Sequence, residues 1–272
     1  MPMATSNPAF SNSPAFTQSA AKAAQWTKEP SAQQLDELYA RSSATPDQMD
    51  RMTYENTIVK TTIAFGVLIV GAAVGWMIPA LMIPAAIVGF VLALVNIFKK
   101  KPSPPLILAY AGVQGLFVGG ISSIFEQQFD GIVTQAVLGT FAVVGVVLAL
   151  FASGKIRASK RATKVFLVAI VGYAVFSLLN MGLMLFGVTT EPFGLRSADS
   201  FIPGVPWGVL IGIFVILLAS YSLVLDFDSI KTGVQRGAPA IFGWTAAFGI
   251  MVTVIWLYLE MLRLLAILRG NN

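Results

Sequence analysis

The chain has 272 residues, 56% apolar and 11% charged, with a mean hydropathy of +0.76 and a formal net charge of +5. Soluble domains carry about 25% charged residues, so this composition cannot coat a water-soluble globule and instead defines an integral membrane protein. Cysteine and histidine are both absent, which excludes disulfides, thiol chemistry, Cys- or His-ligated metals and Ser-His hydrolases, and leaves carboxylates as the groups for any pH sensing near neutrality.

Residues 1–50 are rich in Ala, Ser, Pro, Gln and Asn and contain no long apolar run. The composition predicts a disordered tail, put in the cytoplasm by the loop charges below, and no apolar core follows a basic start, as a signal peptide would require. "NPAF" (7–10) and "SPAF" (13–16) form a short repeat, either a docking motif for a partner or chance similarity in a low-complexity tail. "SAQQLDELYARSS" (31–43) has the pattern of a short amphipathic helix.

Residues 51–272 are expected to form one transmembrane domain. Its seven apolar segments run over about 57–78, 80–98, 104–125, 131–152, 164–188, 203–228 and 244–268, and each approaches or exceeds the ~20 residues that cross a bilayer core. The predicted fold is therefore an all-α bundle of seven transmembrane helices. The loops after the second, fourth and sixth segments carry Lys99, Lys100 and Lys101; Lys155, Arg157, Lys160, Arg161 and Lys164; and Lys231 and Arg236. The other three loops carry Arg196 as their one cation, together with Glu126, Asp130, Glu191 and Asp199. Lys and Arg gather on the cytoplasmic side, so the basic residues serve as topology signals and not as a nucleic-acid surface. The N-terminus is predicted inside and the C-terminus outside, although Arg263 and Arg269 vote the other way. Gly71 with Gly75, Gly115 with Gly119, and Gly208 with Gly212 are small pairs four apart, suited to close helix packing within the bundle.

Three acids lie in or beside the last two apolar segments: Asp226 and Asp228 in "SLVLDFDSIK", and Glu260 in "WLYLEMLRLL". An ionised carboxylate at mid-bilayer costs about 3 kcal/mol. Such groups usually face the bundle interior, pair with one another and mark ion pathways. The expectation is that Asp226 and Glu260 meet, share a proton and titrate as a unit. A shared proton makes a closed latch, and its loss leaves two repelling anions whose oxygens suit transient Ca²⁺. The plainer alternative is local ion pairing, Asp228 with Lys231 and Glu260 with Arg263. Whether the two carboxyls lie at one depth depends on where the last segment starts, at Trp244 or at Ala240. Lys99, Lys100 and Lys101 are expected to be topology anchors, one of which could cap an acid in a closed state.

Seven segments, an acid late in the sixth within "LDFDSIK", and "LYLE" before a Leu-rich stretch in the seventh resemble the Bax inhibitor-1 family, in its bacterial YccA-like branch, over roughly residues 57–270. That family ends the sixth segment with a Tyr-Asp pair and has Leu-Tyr-Leu-Asp in the seventh; Asp226 and Glu260 take the places of the two acids. The resemblance implies a pH-sensitive Ca²⁺ leak through a seven-helix bundle, with a di-acid latch and a basic partner after the second segment, where Lys99 to Lys101 stand. It also implies a bacterial plasma-membrane location and, as an alternative, modulation of the membrane-anchored AAA protease FtsH. This chain departs from the family pattern at Glu260 (Asp in the family) and at Leu225 (Tyr). It also carries about ten extra residues near "GVQRGAPAIF" and an additional acid, Asp228, which is a second candidate to pair with Glu260.

Three functions follow as expectations. The first is a passive, pH-gated cation leak favouring Ca²⁺, with no resident cofactor and no enzymatic activity. The second is a regulatory membrane protein that acts on a membrane protease or stress complex through its tail. The third, an intramembrane aspartyl protease, fits two acids on consecutive helices but lacks the Gly-x-Gly-Asp motif of that class.

Overall fold

The structure, a computed structural model, describes residues 51–270. The expectations for the tail, its paired motif and its amphipathic segment lie outside the described residues. Seven helices long and apolar enough to cross a membrane are present among those residues, with no strand beyond two isolated β-bridges. They are α1 (Tyr54–Met77), α2 (Met82–Phe98), α3 (Pro104–Gln128), α4 (Ile132–Ala152), α5 (Lys160–Leu185), α6 (Trp207–Gln235) and α7 (Gly243–Gly270).

The helix starts have local causes. The Thr53 hydroxyl accepts from the Asn56 amide at 3.1 Å and caps α1, and Ser159 does the same for α5 through Ala162 at 3.2 Å. These contacts satisfy first-turn amides that have no partner within the helix. The start of α4 is capped from a distance: the Glu126 carboxylate, at the end of α3, accepts from the amides of Gly131 (2.7 Å) and Val133 (2.9 Å). A carboxylate there also complements the positive end of the helix.

The sixth span is longer than expected. The sequence predicts a break at 229–239, whereas α6 runs through Gln235. Ser229, Lys231, Thr232 and Gln235 are polar but compatible with a helix. The chain turns only at Gly237, whose φ of +63° is readily adopted by glycine. The Ala238 amide returns to the Gly233 carbonyl (3.0 Å) and the Gly237 amide to Val234 (3.1 Å), the bonding of a Schellman termination. The extra residues before the last span are therefore taken up largely as added helix and a 3₁₀ turn over Ala240–Phe242.

α3, α6 and α7 form the centre of the bundle, while α2 and α5 present nearly all their apolar surface outward. Side chains such as Phe90, Phe141 and Val168 are exposed, as expected for a surface solvated by lipid. Tyr110 of α3 packs edge-on against Phe248 of α7 at 5.0 Å between ring centres. α1 crosses α3 with backbones in contact: a Cβ on Gly71, Gly75, Gly115 or Gly119 would run into main-chain atoms of the facing helix. The small pairs predicted to serve packing inside the bundle do so here.

The two ends of the bundle are tied differently. At one end Arg51 and Met52 pair with the α6–α7 turn through a bridge to Pro239 and a hydrogen bond from the Met52 amide to the Ala238 carbonyl (2.7 Å). At the other end Arg269, near the end of α7, donates to the Asp130 carbonyl in the α3–α4 turn (2.7 Å). The lysine-rich connections belong to the first end.

Candidate functional site

Glu260 is 1% exposed and lies on the inner face of α7. Its carboxylate is held by three donors. Arg196 Nη1 reaches Oε1 at 2.9 Å, Arg263 Nη1 reaches Oε2 at 2.6 Å, and Tyr173 Oη donates to Oε2 at 2.9 Å. The two arginines also donate to the Tyr173 oxygen, Arg196 Nη2 at 2.8 Å and Arg263 Nη1 at 3.2 Å. Arg196 further sits over the faces of Tyr173 and Phe176, 5.3 and 5.7 Å from the ring centres, where ring quadrupoles attract a cation. Burial alone would oppose the Arg196 charge, but Glu260 and Tyr173 outweigh it, and the guanidinium pKa lies above its ordinary value. The cluster locks α5, α7 and the α5–α6 loop together.

Arg196 enters the bundle because its loop is shaped for it. The residue lies in a 3₁₀ turn, Gly194–Ser197, and is 3% exposed. Gly194 has a φ of +59°, and a Cβ there would also meet Asn180 Oδ1. Asn180 binds both sides of the turn, accepting from the Leu195 amide at 2.7 Å and donating to the Phe193 carbonyl at 3.2 Å. Gly208, at the start of α6, leaves room for the Arg196 backbone and Cβ.

Asp226 is 0% exposed and lies between α6 and α7, where its Oδ2 accepts from Thr253 Oγ1 at 2.6 Å. Thr253 also faces Ser222 of α6, at 3.4 Å between hydroxyl oxygens. Thr253 is seven residues before Glu260 on the same helix, which places the two carboxyls about 10 Å apart in depth at 1.5 Å per residue. The structure therefore does not bring Asp226 and Glu260 together, and the expected shared proton is replaced by two separate arrangements. The physical reason is the start of the last span: the 3₁₀ turn at Ala240 and the helix from Gly243 carry Glu260 toward the far end, past the level of Asp226.

The remaining candidates also find other places. Asp228 is half-buried near the end of α6, where its charged neighbours are Lys231 and Arg157, and it does not pair with Glu260. Lys99, Lys100 and Lys101 are exposed at the end of α2, and none forms an ion pair with these acids. The ion-pair partners of Glu260 are Arg196 and Arg263, the second being the local pairing expected as the alternative. No group of three or more acids that could hold a metal occurs among the described residues. With both Glu260 oxygens engaged by donors and two cations beside it, Ca²⁺ at Glu260 would meet repulsion, so Asp226 and Glu260 do not form the joint metal site expected from the sequence.

Several partners escaped the sequence reading. Arg196 looked like a loop cation, yet its standing as the one cation in three loops, two of which bear acids, was the available signal. Lys60 is a lysine inside the first apolar segment. It reaches the α6–α7 turn, donating to the Ala240 carbonyl at 2.5 Å, and passes Gly243, where a Cβ would crowd it. Tyr173 and Thr253 had no signal, because a lone Tyr or Thr in an apolar helix is ordinary.

These features define a class: a multi-pass α-helical membrane protein with ionisable side chains enclosed between its last two spans. The chain belongs to the Bax inhibitor 1 like family, whose sequence model matches residues 7–270. The match takes in most of the N-terminal tail, so the expectation that the likeness begins near residue 57 was too narrow. No curated protein matches the chain.

Proposed function

We propose that the protein is a pH-sensitive cation leak of the bacterial plasma membrane, favouring Ca²⁺, with the basic end of the bundle cytoplasmic. The observation that carries this reading is the Asp226 carboxylate, wholly enclosed between α6 and α7 at a level inside both apolar spans. Ionisable groups at that depth are costly and usually mark ion or proton paths. Ser222, Thr253 and Ser229 lie near Asp226 along the same two helices and are buried, giving that path hydroxyl oxygens, which suit hard cations. Toward the other end the Arg196–Glu260–Arg263 cluster blocks the way with positive charge, so this arrangement corresponds to a closed state. Here the gate is an arginine clamp on Glu260, and Asp226 is the acid that answers to pH.

The test is Ca²⁺ flux into proteoliposomes across pH 5 to 8. Glu260→Gln removes the charge that holds Arg196 in place and is expected to raise flux severalfold. Asp226→Asn is expected to flatten its pH dependence. Wild-type flux and pH profile in both variants would end the proposal.

A second reading, modulation of a membrane-anchored protease such as FtsH through the tail, rests on the family resemblance alone, the family match itself extending into the tail to residue 7. Deleting residues 1–50 would then abolish the regulatory phenotype and any protease co-purification while leaving flux intact.

A further inference from the structure

Beside the clamp, between α5 and α7, lies a cavity of about 660 Å³ lined by Tyr173, Ser177, Met181, Arg196, Trp256 and Arg263, among others. Its charge does not balance. Two arginines share one carboxylate, and no other acid lies within ion-pair distance of either among the described residues. Glu191 and Asp199, the acids of the adjoining loop, are exposed and form no ion pair with either arginine. Two guanidinium groups facing a single carboxylate leave a net positive charge that favours an anion beside them. Unused donors are also present. Arg263 employs only Nη1, leaving Nε and Nη2 available, and the Ser177 hydroxyl is buried without a partner.

The setting narrows the anion. Arg263 lies seven residues before the end of α7, about 10 Å from that end. For a helix of 28 residues, about 42 Å long, this depth is within about one helical turn of the edge of a 30 Å hydrocarbon core. Lipid phosphates sit at that edge. The neighbouring surface of α5 is apolar and exposed at Leu178 and Leu179, and Met181 and Trp256 line the cavity itself. The cavity thus offers guanidinium donors to a head and apolar walls to a tail.

We propose that this cavity binds the phosphodiester headgroup of an acidic membrane lipid, with the acyl chains running along α5. Arginine suits this role because its planar fork matches phosphate oxygens. The proposal is independent of the leak reading, since a lipid can occupy the cavity whether or not ions pass between α6 and α7.

The experiment uses delipidated full-length protein in detergent, with native mass spectrometry and thermal unfolding as readouts. Phosphatidylglycerol, phosphatidylcholine and inorganic phosphate are added in separate arms. Phosphatidylglycerol is expected to remain bound at one copy and to raise Tm, while phosphatidylcholine does neither. Arg263→Gln should weaken phosphatidylglycerol binding about tenfold, the size of one lost charge-assisted hydrogen bond, and Arg263→Lys should recover part of it. Met181→Trp fills the cavity without altering charge and should weaken binding similarly. Equal retention of both lipids, or undiminished phosphatidylglycerol binding in Arg263→Gln and Met181→Trp, would overturn the proposal. Stabilisation by inorganic phosphate with none by phosphatidylglycerol would overturn the lipid assignment.

Discussion

A carboxylate can stay charged inside a bundle when protein donors replace its water, and Glu260 has three such donors in Arg196, Arg263 and Tyr173. The arrangement is asymmetric in energy. Removing one partner of a buried pair costs about 3–5 kcal/mol, whereas replacing the whole pair by apolar groups is often nearly neutral. Arg196→Met leaves Glu260 with Arg263 and Tyr173, so it is expected to lower stability by about 1.5–3 kcal/mol, the size of one lost hydrogen bond to a charged group, measured by unfolding in mixed micelles, and adding Glu260→Leu to it should restore part of the loss. If the double variant is as unstable as the single one, the pair is not what ties the loop to the helices. Because the Arg196 pKa is raised above an already high value, its stabilising effect is present throughout pH 5 to 9 and would be lost only as pH rises through that higher value. Any pH response in the accessible range then belongs to acids. The sequence disclosed the carboxylates themselves, since Asp and Glu in apolar runs are conspicuous. It could not disclose that Glu260 answers to Arg196, because the two are 64 positions apart and a loop conformation decides their meeting.

At the level of elements, the crossing of α1 and α3 depends on glycine. A side chain at Gly119 would collide with the backbone of Ala72, and one at Gly71 with that of Gly112. Neither obstacle can rotate away, so Gly119→Leu must push the helices apart. The expected result is a loss of folded yield and a fall in Tm well beyond that of Gly66→Leu, a position on α1 where a Cβ meets nothing within 4 Å. Similar losses at both sites would show that helix propensity, and not the crossing, is responsible. The number and order of helices were legible because each apolar run spans a bilayer. The end of α6 was not, because polar residues such as Lys231 and Gln235 look like a loop in a hydropathy profile while remaining good helix formers.

At the scale of the whole molecule, the strongest expectation concerns sidedness. The Lys- and Arg-rich connections all belong to the end that holds Arg51 and the α6–α7 turn, and we propose from the positive-inside tendency that this end faces the cytoplasm. The absence of cysteine makes the test clean. Single cysteines at Lys100 and at Asp199, both exposed, should label from opposite faces of sealed spheroplasts: Asp199→Cys with an impermeant maleimide added outside, Lys100→Cys only after permeabilisation. The reverse pattern would invert the topology and move the arginine clamp and its cavity to the inner leaflet.

The sequence by itself determined the membrane class, the count and order of the spans, the family and the identity of the acids, because hydropathy, charge asymmetry and short motifs are properties of contiguous residues. The tertiary structure decided who meets whom. It separated Asp226 from Glu260 by about two helical turns, brought Arg196 in from a loop, and drew Lys60 to the α6–α7 turn. Those outcomes depend on helix register and on backbone turns at Gly194 and Gly237. Register is set by packing between helices, and a shift of a few residues in where α7 begins decides the depth of every side chain along it.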